Sequence, residues 1–209
     1  MKPEYEFLAG QLAEYRPVNE QEACDRALML RFLEEGERPF ERANRLAHFT
    51  ASAWVTNARC DRVLMIWHNI YRSWAWTGGH ADGETDLCAV ARREACEESG
   101  LTGLRALSEA PVSLEILTVN GHEKRGEYVP SHLHLNVTYL FEADDGLPLR
   151  VKPDENSGAR WFAPEEAIAA CTEPWMARRI YEKLNRRLNE YLRNEEKTDG
   201  TDEHRETEI

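Results

Sequence analysis

The chain has 209 residues, 42 % of them hydrophobic and 31 % charged, the composition of one folded domain with its own core rather than of a disordered chain. Its net charge of −12 opposes polyanions, so a nucleic-acid partner is not expected without a local basic patch. No run approaches the roughly 18 apolar residues of a membrane span, Met1 to Glu14 does not read as a signal peptide, and five scattered cysteines suit a reducing cytoplasm better than a disulfide framework.

Residues 1–47 read as a helical extension. Leu8, Leu12 and Tyr15 recur at helical spacing until Pro17 breaks the run, and Asn19 can cap a second helix whose stripe is Ala23, Ala27, Leu30 and Leu33. A short third helix is expected after Pro39, ending near Leu46. The period then falls to about two. Phe49 to Asn57 and Arg62 to Tyr71 read as strands joined by a turn, and Gly78 and Gly79 are expected to interrupt the strands. A helix follows from about Asp86 to Ser99, capped by Thr85 or Asp86 and stopped by Gly100.

Strands at Val112 to Val119 and His132 to Ala143 flank a polar loop of about a dozen residues, a length that tends to be functional. A strand near Ala159 to Phe162 and a short helix from Pro164 precede a last helix, Pro174 to Arg193, with Met176, Ile180, Leu184 and Leu188 on one stripe. The tail 194–209 carries seven acids against two bases and is expected to be disordered. Helices and strands alternate irregularly, so the class is α+β with helices packed outside a mixed sheet. The division is an N-terminal helical extension (1–47), a main domain (48–170), a C-terminal helix (171–193) and the acidic tail.

The informative segment is Gly78 to Leu101. On a helix, Glu97 and Glu98 lie about 60° and 40° to either side of Glu94, so three carboxylates share one arc of about 100°. Leu87, Val90, Ala91 and Leu101 point the same way, so these acids continue the stripe that should face the core. A solvated charged face is the plain alternative. It fits poorly, because like charges one turn apart repel and a single Arg93 cannot neutralise three acids. A divalent cation can, and oxygen donors at this density suit Mg²⁺ or Mn²⁺.

These residues resemble the Nudix box, written Gx5Ex7REUxEExGU with U a bulky aliphatic residue. Gly79, Arg93, Glu94, Glu97, Glu98, Gly100 and Leu101 fall on the pattern without gaps. Six fixed residues at roughly 7 % usage each match by chance about once in ten million start positions, so the signal is specific. The first Glu of the pattern falls on Thr85 while a Glu stands one place earlier, at Glu84; Ala95 is small where the pattern wants bulk. The segment is similar to a Nudix subgroup reading Gly-Gly-His-Ala-Asp-Gly.

The resemblance implies a Nudix-type α/β/α sandwich and Mg²⁺-dependent hydrolysis of a diphosphate linkage in a nucleoside diphosphate joined to another moiety. It implies metal ligands at Glu94, Glu97 and Glu98, with Glu97, Glu98 and Arg93 catalytic and Gly78 and Gly79 letting the backbone pass close to the phosphates. A non-catalytic Nudix-fold module that binds a nucleotide ligand is the competing function, and a structural protein working through its helical ends is a third. The partner expected is a small-molecule diphosphate, with no membrane; the amphipathic N-terminal helices could supply a homodimer interface.

Other candidates weigh against plainer readings. Glu155 could be an extra ligand or general base, or part of a solvated turn. His80 could meet a phosphate or shape its loop. His132 and His134 share a strand face with Asn136 and Thr138; such a pair can chelate a metal, but no third soft ligand has the spacing to match, so substrate hydrogen bonding or a polar sheet face is expected. Trp54, Trp67, Trp74 and Trp76 read as core, with base stacking by one of them as the functional alternative, and Cys88 and Cys96 read as packing residues rather than nucleophiles. Arg178, Arg179, Lys183, Arg186 and Arg187 could touch RNA, but read rather as a solubilising helix face or as partners of the acidic tail.

Overall fold

The computed structural model describes residues 2–124 and 126–202. A short 3-10 turn (Pro3–Tyr5) leads into α1 (Glu6–Glu14), which ends where Tyr15 turns extended ahead of Pro17. α2 (Glu20–Glu35) starts at Asn19, whose side chain accepts the Glu22 N–H at 2.9 Å. The buried side of α2 is not the expected alanine stripe. Glu22, Met29 and Leu33 face inward while Ala23 and Ala27 are exposed, because Glu22 is drawn in by the Tyr15 hydroxyl and by Lys183. Nor does a third helix follow Pro39. Residues 38–46 form turns, with Arg38 at φ 51° and the Asn44 side chain accepting the N–H groups of Leu46 and Ala47, local bonds that compete with a helix.

β1 (Ala47–Thr56) is the centre of a mixed eight-stranded sheet. It runs parallel to β9 (His132–Glu142) along its whole length, with Ala47 opposite Leu133 and Thr56 opposite Glu142. Its other edge pairs antiparallel with β4 (Thr77–His80) and, at its end, with β2 (Val63–His68). β3 (Ser73–Ala75) and β10 (Asn156–Phe162) flank β2, while β5 (Arg105–Ala106) and β6 (Ser113–Val119) pair with β9. Gly78 and Gly79 do not interrupt the sheet: they are paired residues of β4, opposite Ser52 and Ala51. The long polar loop contains a small hairpin, β7 (His122–Lys124) and β8 (Glu127–Val129).

Alternation along β1 and β9 sends residues to two cores. Phe49, Ala51, Ala53 and Val55, with Val137, Tyr139 and Phe141, pack against α3 (Leu87–Ser99) and against Leu8, Leu12, Met29 and Leu33 of the N-terminal helices. Trp54, Met65, Leu140 and Phe162 pack instead against Ile180, Tyr181, Leu184 and Leu188, with Ala167 of α4 (Pro164–Ala170). Helices thus cover both faces of the sheet, as the sandwich requires. The C-terminal helix comprises α5 (Pro174–Met176), a π-helical turn (Ala177–Tyr181) and α6 (Glu182–Asp202).

α6 runs past the expected end at Arg193, so the disordered tail does not begin there. Glu195, Glu196 and Lys197 are good helix formers, and extending an existing helix through the weaker formers beyond them needs no new nucleus. The remainder of that tail, 203–209, lies outside the described residues. Among the described residues no helix is long and apolar enough to cross a membrane.

Candidate active site

α3 begins at Asp86, whose carboxylate accepts the Ala89 N–H at 3.0 Å. It ends at Gly100, which takes the left-handed conformation (φ 71°) and also lies under Arg150, where a Cβ would fall 2.7 Å from Arg150 Cβ. β4 enters beneath α3, whose approach leaves no room for a Cβ on Gly79, while the pairing with β1 leaves none on Gly78. A Cβ on Gly79 would lie 2.7 Å from Glu94 Oε2, and one on Gly78 would lie 2.6 Å from both the Ala51 carbonyl oxygen and Ser52 Oγ.

The three expected carboxylates do share one side of α3, but they differ in exposure. Glu98 is only 3 % exposed and accepts the Gly78 N–H at 3.0 Å; Glu94 is half-buried, and Glu97 reaches solvent. Burial pushes the Glu98 carboxyl up to about 8; the Gly78 N–H opposes this, the charges of Glu155 and Glu94 add to it, and Lys152 opposes it. Glu94 is raised as well, first by burial and then by Glu97. Arg93 bridges two acids, donating to Glu84 and, at 3.4 Å, to Glu94. The acid displaced by one place in the sequence therefore meets the box arginine after all.

Glu155 arrives from the loop before β10 and belongs to the same group. Asn156 positions it: this buried side chain donates to the Glu98 carbonyl oxygen at 2.9 Å and accepts the Lys152 N–H at 3.2 Å, tying loop 152–155 to the last turn of α3. Sequence reasoning missed Lys152, which lies 2.9 Å from Glu97 and 3.0 Å from Glu155. Burial alone would lower the Lys152 ammonium, yet its bonds to Glu97 and Glu155 outweigh this and hold it charged. Its spacing of three residues before Glu155 was the available signal.

His80 turns away from these carboxylates and joins His48, His132 and His134 on the opposite face of the sheet, its ring centroid 5.2 Å from His48 and 4.8 Å from His134. The third soft ligand that sequence spacing lacked is thus supplied by β1 and β4. Burial and the neighbouring imidazoles lower the His134 pKa to about 2. Trp54 and Trp76 are buried around Tyr181 and Trp74 packs edge-on against Phe162, so these three belong to the core, while the partly exposed Trp67 packs edge-on against Trp74 outside it. Cys88 is buried, which pushes its thiol up to about 11, and Cys96 is raised for the same reason, as packing residues are.

The basic face of the last helix is corrected in part. Arg178 and Arg179 are exposed, but Lys183 is wholly buried, 2.9 Å from both Glu22 and Glu115. Arg187 donates to the Tyr15 hydroxyl at 3.2 Å and to the Arg16 carbonyl oxygen at 2.9 Å. Glu115 also accepts from Asn136 and Thr138, and Asn136 accepts in turn from Thr50 and Ser52. These bonds join both terminal helices to the sheet.

A box loop, a carboxylate-bearing helix and a mixed sheet between helical layers define the class, and residues 46–184 match the NUDIX domain. The chain belongs to the Nudix family. Among solved structures it is similar to an Ap4A hydrolase of C. elegans in a binary complex (18 % identity, 70 % of this chain and 98 % of that chain, TM-score 0.48). It is also similar to a NUDIX-family hydrolase from Clostridium perfringens (20 % identity, 68 % and 96 %, TM-score 0.47) and to the dihydroneopterin triphosphate pyrophosphohydrolase of E. coli (16 % identity, 65 % and 92 %, TM-score 0.45). No curated protein matches the chain.

Proposed function

We propose that the protein is a Nudix pyrophosphohydrolase that cleaves the diphosphate linkage of a nucleoside diphosphate joined to another group, using Mg²⁺ or Mn²⁺ held by Glu94, Glu97 and Glu98. The observation that carries this reading is the carboxylate cluster. Glu94, Glu97, Glu98 and Glu155 converge, and two of the four are held back from ionising mainly by burial. An all-oxygen donor set of this charge fits a hard divalent cation.

When bound, such an ion neutralises phosphate charge and lowers the pKa of a coordinated water. The chain's own residues do the rest. Arg93, clamped between Glu84 and Glu94, holds the Glu94 carboxylate in orientation by charge-assisted hydrogen bonds. Gly79 keeps a side chain out of the path between β4 and α3, leaving room for phosphate oxygens beside the carboxylates, and Gly78 presents its N–H to Glu98. Lys152 would offer an ammonium to a phosphate oxygen, and Glu155, on the loop that Asn156 ties to α3, would take a proton from the attacking water. The unpaired cysteines support a reducing, cytoplasmic setting.

The test is a hydrolysis screen with Mg²⁺ over dinucleotide polyphosphates, nucleotide sugars, ADP-ribose and nucleoside triphosphates. Metal-dependent release of a monophosphate from at least one is expected. Ligand binding without turnover across the whole panel would instead make the protein a nucleotide-binding module.

A further inference from the structure

We propose that His48, His80, His132 and His134 form a second metal site, suited to Zn²⁺ and separate from the carboxylate cluster. The sheet brings them together from three strands. His134 stands opposite His48 across the parallel β1–β9 pair, and His80 stands opposite Thr50 across β1–β4, on the same face as His48. One ring nitrogen from each of His48, His80 and His134 lies within 4.8 Å of the other two. His132 adds a fourth, its Nε2 3.1 Å from His134 Nε2. Tetrahedral zinc with bonds of about 2.0–2.1 Å sets its donors roughly 3.3 Å apart, so one close pair already has that spacing and the remaining rings need only turn inward.

Ring tautomers decide the kind of ligand. His48 is 3 % exposed, and its Nδ1 lies 3.0 Å from the Asn44 carbonyl oxygen. A carbonyl only accepts, so Nδ1 carries the hydrogen and Nε2 of the neutral ring carries a lone pair. That buried Nε2 has no hydrogen-bond partner among the described residues. His132 repeats the arrangement, with Nδ1 2.9 Å from the Pro130 carbonyl oxygen and Nε2 directed at His134. Two rings oriented by backbone carbonyls therefore present lone pairs to one space, which is how metal-binding histidines are commonly held. An anion would need N–H donors there, and Mg²⁺ prefers oxygen. Neutral imidazoles suit zinc.

The site would act on the box through β4. His80 follows Gly79, which lies against Glu94, and stands two residues after Gly78, which donates to Glu98. A zinc ion would pin the start of the box loop to β1 and β9. This proposal does not depend on the hydrolase reading.

The experiment uses the metal-free full chain in excess Mg²⁺, which occupies the carboxylates, titrated with Zn²⁺ and, as a spectroscopic probe, Co²⁺. One equivalent of Zn²⁺ should bind and raise the Tm. Co²⁺ should give visible d–d absorption without thiolate charge transfer, retained in Glu97→Gln and lost in His134→Gln. Because a His variant can fail to fold, the parent titration decides by itself. No stoichiometric Zn²⁺ binding, or a spectrum carrying thiolate charge transfer, would overturn the proposal, as would an unchanged spectrum in a folded His134→Gln.

Discussion

Glu22 and Glu115 lie wholly inside the protein, and so does Lys183, 2.9 Å from each. Glu98 is almost as deeply buried, yet it meets a backbone N–H, while the nearby Lys152 is engaged by Glu97 and Glu155. In the first cluster two acids are met by Lys183, by Arg187 3.9 Å from Glu22, and by hydroxyl, amide and backbone donors that satisfy their oxygens. In the second, four acids share one lysine and Arg93. Burial opposes the charge of Glu22, but Lys183, the Tyr15 hydroxyl and the Val18 N–H outweigh it and hold that carboxyl below its ordinary range; Glu98 is displaced upward. Both clusters are desolvated. What separates scaffold from site is whether the fold supplies the countercharge itself.

The largest effect expected from breaking this contrast is at Lys183. Lys183→Met would leave Glu115 buried without a cation and Glu22 with only the more distant Arg187, a loss of about 3–5 kcal/mol in unfolding free energy. Denaturant melts should show it, while kcat per folded molecule stays near the parent value. A stable Lys183→Met protein would mean that Arg187, Tyr15, Asn136 and the backbone donors suffice without the lysine.

Glu98→Gln should behave in the opposite way. It keeps the volume and an oxygen for the Gly78 N–H but removes one charge from the proposed metal cradle. A drop in kcat of two to three orders of magnitude is expected, about 3–4 kcal/mol of transition-state stabilisation. In chelator the Tm should hold or rise. Parent-level turnover together with a lower Tm would move Glu98 into the scaffold class.

The smallest effect is in pH dependence, and its sign sharpens the comparison. In metal-free protein Glu98 keeps its proton up to about 8, against an ordinary value of 4.5. As pH rises the unfolded chain releases that proton first. The Glu98 contribution is therefore intact below about 4.5 and is lost between there and about 8. Glu22, with its folded value lowered, contributes above 4.5 and loses that contribution as pH falls through the folded value. The Tm of chelated parent minus that of Glu98→Gln should decline across the first window, and saturating Mg²⁺ should remove the decline. Parallel curves in chelator would show that Glu98 ionises freely.

Local signals made much of this legible in the sequence. The Asn19 and Asp86 caps, the Gly100 stop, the strand periodicity of β1 and β9 and the arc of Glu94, Glu97 and Glu98 depend on neighbours within a turn or on a period of two, and each shows in the residue order itself. The Gly79 spacing likewise pointed to the glycine that Glu94 requires.

Only tertiary structure could decide the rest, because it depends on residues far apart in the chain. Lys183 looked like one more exposed base on a helix until Glu22 and Glu115 closed around it. Their pull also explains why α2 turns an acid inward where its alanines were expected. Lys152 reaches Glu97 across 55 positions, and Asn156 reaches the Glu98 carbonyl across 58. His132 and His134 were visible as a pair, but His48 and His80 join them only because β1 lies between β4 and β9. A helical arc or an alternating strand is set by backbone geometry that every residue shares, whereas the countercharge of a buried acid or the third nitrogen of a histidine cluster comes from whichever strand or helix the fold lays beside it.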